Sequence, residues 1–137
     1  VCVSQQVDYY YCDNEGSLTT KYRPDRFESQ IKLYEMLRKK AKNLGIEKQC
    51  TERLQNTVLA IARYSVKLEY KFEKQNGKQK AKENVKRICE NKMLNEILRE
   101  YDDSCIKKSS QIVNSFLRLH NYRGIRAIMI LKNTINR

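Results

Sequence analysis

Hydrophobic residues recur at steps of three and four along most of the chain after residue 24, and this spacing places them on one face of an α-helix. The first stripe follows Pro24 and Asp25, a pair suited to begin a helix. Gly45 stands where a helix C-cap is expected. The pattern predicts a first amphipathic helix with the apolar positions Phe27, Ile31, Tyr34, Leu37, Ala41 and Leu44.

A second stripe keeps the helical period almost unbroken from residue 50 to residue 72, and it is the clearest helix signal in the chain. Its members are Cys50, Leu54, Val58, Ile61, Ser65, Leu68 and Phe72. Asn76 and Gly77 end this predicted helix. Because the connection to the next helix is short, we expect the second and third helices to pack antiparallel.

Three more helices are predicted in the rest of the chain. The third starts near Lys80 and has the apolar positions Val85, Ile88, Cys89, Met93, Ile97 and Tyr101. Residues 102–104 (DDS) stop or bend it by offering N-cap side chains. The fourth runs through Ile106, Ile112, Val113, Phe116, Leu117 and His120. Gly124 is expected to interrupt it, and the fifth contains Ile125, Ile128, Met129, Leu131 and Ile135.

The first 24 residues show neither a helical period nor strand alternation, and residues 13–16 (DNEG) favour a turn. Residues 9–11 (YYY) either pack over the core or offer a contact surface. One Pro and four Gly in 137 residues favour helices over a sheet with many turns. We therefore expect an all-α single domain over 1–137: a compact bundle of four to five helices stapled by disulfides (25–137), with an irregular N-terminal arm (1–24).

The five cysteines are Cys2, Cys12, Cys50, Cys89 and Cys105. They include no Cys-x-x-Cys pair, and the chain has one His, so the spacing of a zinc site is missing and no metal or other cofactor is expected. Disulfides are the favoured interpretation, and buried free thiols of a cytosolic protein are the alternative. An odd count leaves one thiol free or paired to a second chain.

Pairing of these cysteines is restricted by helix geometry. If the helix between Cys89 and Cys105 is continuous, its rise separates them by about 24 Å. A disulfide needs Cα atoms within about 7 Å. Each must then reach another element, unless a bend intervenes. Cys50 is a natural partner for one of them and the N-terminal arm for the other.

The formal charge is +12, which points to a partner with negative charge. Acidic proteins, acidic glycans, nucleic acid and anionic membrane all meet that condition, and an ordinary solvated helix exterior is the alternative. No helix-turn-helix spacing supports sequence-specific DNA recognition. Candidate partner-binding residues are Lys71, Lys74, Lys78, Lys80, Lys82, Lys86 and Arg87, around the turn before the third helix, and Arg118, Arg123 and Arg126.

No arrangement typical of catalysis is found. His120 is the single histidine and lies among helical residues, and four scattered glycines form no phosphate-binding loop. We therefore predict a protein that is not an enzyme. The longest strongly apolar run, residues 127–131, is too short to span a bilayer. Val1 in place of Met is consistent with signal-peptide removal, although a piece of a longer chain would look the same.

Residues 57–65 (TVLAIARYS), the Lys-rich helix after them and residues 104–108 (SCIKK) resemble mosquito salivary proteins. The likeness covers approximately residues 50–110 and is to the helical domain of collagen-binding salivary proteins of the aegyptin type and to small anopheline proteins of the anophensin and albicin type. It implies a secreted, helical, disulfide-linked, non-enzymatic protein that occupies a host plasma or extracellular protein. The missing acidic repeat region puts collagen binding in doubt.

The expected function is that of a secreted salivary inhibitor of host complement or haemostasis, without membrane insertion, and nucleic acid is not the expected partner. Two other classes stay open. One is a helical cytokine-like ligand, whose bundle needs two long crossover connections. The other is a basic polyanion-binding or intracellular effector protein, whose thiols would all be reduced.

Overall fold

The computed structural model describes residues 22–135, which form short connections and helices and contain no β-strand. The all-α class is confirmed for this part of the chain. Residues 1–21 of the expected arm, including Cys2, Cys12 and residues 9–11, lie outside the described residues. The helices are α1 (Arg26–Asn43), α2 (Glu47–Lys71), α3 (Glu73–Asn76), α4 (Lys78–Cys89), α5 (Lys92–Glu100), α6 (Lys108–Arg118) and α7 (Tyr122–Ile135), with a 3₁₀ turn at Asp103–Cys105.

The longest helix, α2, lies at the centre, and each of the other six helices packs against it. Its completely buried residues Val58, Leu59, Ala62 and Val66 meet side chains from α1 and from α4 to α7 in one core. The connections between the helices are short. Neighbouring helices therefore turn back on one another around α2.

The expected number of four to five helices is wrong for residues 22–135, which form seven: the four-residue helix α3 follows α2, and the predicted third helix divides into α4 and α5. Asn91 has an extended backbone, with φ −63° and ψ 124°, and its side chain accepts a hydrogen bond from the backbone N–H of Leu94 at 3.0 Å. The side-chain amide of Asn95 donates to the carbonyl of Cys89 at 2.9 Å. These bonds satisfy backbone groups at the end of α4 and the start of α5, so the break is stabilised locally.

The sequence suggested that Gly124 interrupts the fourth predicted helix, and this prediction is wrong. The break lies at residues 119–121, where His120 has a φ of +49°, and Gly124 lies inside the first turn of α7. A Cβ atom on Gly124 would come within 2.8 Å of the Phe116 ring. Glycine is needed here for the close approach of α6 and α7, not for a turn.

The start and end of α1 confirm the sequence prediction. Gly45 follows the helix with a φ of +69°, which is the conformation of a C-cap glycine. Phe27, Ile31, Tyr34 and Ala41 are buried as expected. Leu37 and Leu44 are not, since they are 39% and 61% exposed. The far end of α1 therefore has an apolar surface.

We predict that Gly124→Ala destabilises the protein by about 1 kcal/mol, because overpacking against Phe116 outweighs the gain in helix propensity. The same substitution in a Phe116→Leu background should be neutral or stabilising. Urea unfolding of both pairs measures the difference. Equal effects in the two backgrounds would show that the ring does not require glycine.

Candidate partner-binding surface

Five of the candidate lysines lie on the surface near the end of α2, on α3 and on α4. All five are exposed, and no ion pair joins any of them to a carboxylate among residues 22–135. We call them the basic surface: Lys71, Lys74, Lys78, Lys80 and Lys82. These lysines lie on both sides of the turn that precedes α4.

Helix α4 presents its lysines outward because its other face is buried. Ala81, Val85 and Ile88 are each no more than 1% exposed, and they fix the orientation of the helix. Lys78 and Lys82 are four residues apart, so they lie on the same exposed row about 6 Å apart along the axis. Gly77 has a φ of +90° and turns the chain into this helix.

Two candidates on α4 are engaged within the protein. The Nζ of Lys86 lies 3.8 Å from the carboxylate of Glu90, the C-cap residue of α4. Arg87 places its Nε 2.8 Å from Glu28 and donates from Nη2 to the carbonyl of Pro24 at 3.2 Å. Arg87 therefore joins α4 to the start of α1. Neither residue is as available to a partner as the basic surface.

Arg118 is a structural residue. Its guanidinium pairs with Asp103 and donates to the carbonyls of Leu98 at 2.6 Å and of Tyr101 at 3.3 Å. Asp103 also accepts a hydrogen bond from Asn114 at 2.6 Å. Arg118 thus satisfies carbonyls at the end of α5 and holds the 3₁₀ turn against α6.

The last two candidates, both on α7, differ in their surroundings. Arg126 donates to both carboxylate oxygens of Glu73, at 2.9 and 3.1 Å, and so joins α7 to α3. Arg123 is exposed. The three C-terminal arginines therefore do not form one binding face with each other.

A second group of cations, on α2 and α7, was missed by the sequence prediction. Arg63 donates to Asn114 at 2.9 Å, and Lys132 donates to the carbonyl of Ser109 at 3.3 Å. Burial lowers the pKa of Lys132, and the charges of Arg63 and Lys67 lower it further. The only signal in the sequence was the four-residue spacing of Arg63, Lys67 and Lys71, which is common on solvated helices.

A groove of about 570 Å³ lies between the end of α2, α3 and the last turns of α7. Its walls include the aromatic rings of Tyr70 and Phe72 and the side chain of Ile130. Lys67, Lys71 and Lys74 also line it. The groove therefore combines apolar surface with positive charge and shares two lysines with the basic surface.

A buried carboxylate lies behind the basic surface. Glu69 is 3% exposed and accepts hydrogen bonds from the Tyr22 hydroxyl at 2.9 Å and from Asn84 at 3.1 Å. Burial raises the pKa of Tyr22 to about 12, and the neighbouring Glu69 carboxylate contributes. The hydroxyl stays protonated near neutral pH and donates to the carboxylate. This network ties the segment before α1 to α2 and α4.

The described cysteines form no disulfide with one another. Cys89 is completely buried in the core, where burial raises the pKa of its thiol to about 12. Cys50 is half-buried and Cys105 is exposed. The suggested pairing of Cys50 with Cys89 or Cys105 is not formed. Cys89 is therefore a structural residue of the core, since a buried thiol that stays protonated is chemically inert.

His120 lies at the break between α6 and α7, and its Nε2 is 3.2 Å from the side-chain oxygen of Asn95. Between residues 22 and 135 there is no group of three His, Cys, Asp or Glu side chains placed to hold a metal ion. In the same range, no helix has the length and apolarity to cross a bilayer.

A comparison of the chain with protein-family models, with characterised proteins and with solved structures finds no match.

We predict that Arg118→Gln lowers the free energy of unfolding by about 2–3 kcal/mol, because it removes charge-assisted hydrogen bonds and leaves Asp103 without its cation. Arg123→Gln removes the same charge from an exposed position and should change stability by less than about 0.5 kcal/mol. Chemical denaturation measures both. A similar small effect for the two variants would contradict the structural role of Arg118.

Proposed function

We propose that this chain is a non-enzymatic binding protein that occupies an acidic protein partner through the basic surface. The observation that carries the proposal is the set of five exposed lysines without carboxylate partners among the described residues. Opposite charge on a partner speeds encounter and lowers the free energy of the complex.

The structure behind the basic surface supports this role. Lys78 and Lys82 share one side of α4, and Lys80 lies on the other flank of its buried face. Because that face is packed in the core, the backbone of all three is held in place before a partner arrives. A surface held in this way loses little conformational entropy on binding. Affinity can then come from a modest number of contacts.

The resemblance of residues 57–65 and 104–108 to mosquito salivary proteins extends the proposal to a biological setting. We propose a secreted salivary protein whose partner is a host plasma or extracellular protein of complement or haemostasis. Such a protein inhibits by covering a surface that its partner needs. It alters complement or clotting assays without cleaving any component.

The connections between helices bear on the cytokine-like alternative. A cytokine bundle requires two long crossover connections. Between residues 22 and 135, the longest segment without an α-helix runs from residue 101 to residue 107 and contains the 3₁₀ turn. The described residues offer no such crossover, so this alternative gains no support.

We predict that Lys78→Glu/Lys82→Glu weakens capture of the partner from plasma by at least about tenfold, since each buried or central charge contact is worth on the order of 1 kcal/mol or more. The control is Lys39→Glu/Lys42→Glu, which makes the same change of charge on exposed residues of α1. Quantitative pull-down and complement and clotting assays measure the effect. Equal loss in both variants would indicate net charge alone, and a wild-type protein inert in every assay would contradict the proposal.

We further propose that two disulfides hold the N-terminal segment to the helical body. Cys50 and Cys105 are the described cysteines that are not buried in the core, and they are not joined to each other. Cys2 and Cys12 supply the same number of partners. The odd thiol is then Cys89, which the core encloses. Each bridge of this kind typically contributes about 2–4 kcal/mol.

The test is a disulfide map by mass spectrometry of the unreduced protein, with thiol counting before and after denaturation. We expect no reactive thiol in the native protein and one, Cys89, after denaturation without reductant. Five free thiols would contradict both the disulfides and an extracellular location, and would favour the intracellular alternative. A bridge containing Cys89 would contradict the assignment of the odd thiol.

A further inference from the structure

We propose that the groove between the end of α2, α3 and α7 binds an aromatic side chain flanked by acidic residues in an extended segment of the partner protein. This inference rests on the proposed function, because it assumes an acidic protein as the partner. It assigns a second element of recognition, which the basic surface alone does not supply.

The groove is large enough to admit an aromatic ring together with neighbouring residues of a segment, and its walls are partly apolar. A volume of about 570 Å³ is within the range of binding clefts for small ligands and is more than a single aromatic side chain fills. Tyr70, Phe72 and Ile130 supply the apolar part of the lining. The Nζ of Lys71 already lies 5.7 Å from the centroid of the Phe72 ring, so a cation and an aromatic ring are neighbours in the lining.

The charge around the groove fits acidic residues on both sides of that ring. Lys67, Lys71 and Lys74 have no carboxylate partner among the described residues. The single carboxylate in the lining, that of Glu73, is neutralised by Arg126. An acidic segment would therefore meet cations without displacing an existing ion pair.

Lys67, which lines the groove, belongs to a group of cations with Arg63 and Lys132 that adds to this preference. Burial lowers the pKa of Lys132, and repulsion from the charges of Arg63 and Lys67 lowers it further. A carboxylate arriving beside Lys67 would relieve that repulsion. In addition, the side-chain oxygen of Asn133, in the groove wall, is buried and accepts no hydrogen bond within the described chain. A backbone N–H of a bound peptide is a suitable donor for it.

The occupant is a protein segment and not a simple polyanion because apolar and aromatic surface forms part of the groove. A glycan or a phosphate backbone would use the lysines and leave the apolar part of the lining, from Tyr70, Phe72 and Ile130, in contact with water. Aromatic residues are common anchors at protein interfaces, since one ring removes a large apolar area from water.

The experiment uses the full chain and three synthetic peptides of equal length. The first is an extended peptide of Glu, Asp, Gly and Ser with one central Tyr, the second replaces that Tyr with Ala, and the third keeps the Tyr but replaces each acid with its amide. Calorimetric titration at two salt concentrations gives the affinities. We expect the first peptide to bind about tenfold more tightly than either of the others.

Two pairs of variants locate the binding. Ile130→Trp places a bulky ring in the groove without changing charge, and it should abolish the advantage of Tyr over Ala. Leu131→Trp is the control, because Leu131 is 60% exposed and does not line the groove. Lys67→Gln/Lys71→Gln should weaken both acidic peptides, whereas Lys39→Gln/Lys42→Gln, with the same loss of charge on α1, should not.

Several outcomes would overturn the inference. One is equal binding of the Tyr and Ala peptides, and another is no binding of any peptide at millimolar concentration. A third is a sulfated oligosaccharide that binds more tightly than the acidic Tyr peptide and whose binding is abolished by Lys67→Gln/Lys71→Gln. The proposed function is tested separately with the plasma partner. If Lys78→Glu/Lys82→Glu no longer binds that partner and Ile130→Trp still binds it, the role of the basic surface is supported and the groove assignment is wrong.

Discussion

Helix α2 must be covered on several sides at once, and the rest of the structure depends on this constraint. Val58, Leu59, Ala62 and Val66 have no exposure, and no single neighbour can cover all of them. The other helices are short, and they turn at Gly45, Gly77, Asn91 and His120 so that each packs against α2. Burial of these side chains supplies the largest favourable term in folding. It also fixes the outward faces of α4 and α7, where the proposed binding surfaces lie.

The two basic residue types have different roles in this structure. Arginines make five of the six ion pairs between described side chains, and Arg118 alone joins α5, the 3₁₀ turn and α6. The planar guanidinium can donate to several acceptors at once, which suits connections between elements. Most lysines keep their charge at the surface. The excess positive charge is therefore carried mainly by lysine, and the partner-binding proposal depends on lysines for this reason.

Hydrophobic periodicity was sufficient to predict the all-α class and the approximate positions of α1, α2 and the C-cap at Gly45. It failed where polar contacts decide the structure. The deeply buried stripe of α2 includes Glu69, and its partners Tyr22 and Asn84 are distant in sequence. From sequence alone, a carboxylate within the apolar stripe of a helix is predicted to be exposed to solvent, because its buried hydrogen-bond partners are not known. Likewise, Asn91 and Asn95 break the predicted third helix through hydrogen bonds that its apolar spacing does not reveal.

The candidate site was predictable only in part, because the sequence shows the charges but not the contacts that they make in the fold. A count of charges locates the lysines around Gly77, but it gives Arg118 and Arg126 the same weight although both are bound to carboxylates. The groove could not be predicted, because Ile130 and Phe72 meet only when α7 packs beside the end of α2. Lys71 and Lys74 belong to both the groove and the basic surface. A partner segment that places a ring in the groove would therefore meet Lys71 and Lys74, and one acidic segment would engage the groove and part of the basic surface together. Charge would then set the rate of encounter and the groove the choice of partner, a division of roles that a purely electrostatic surface does not allow.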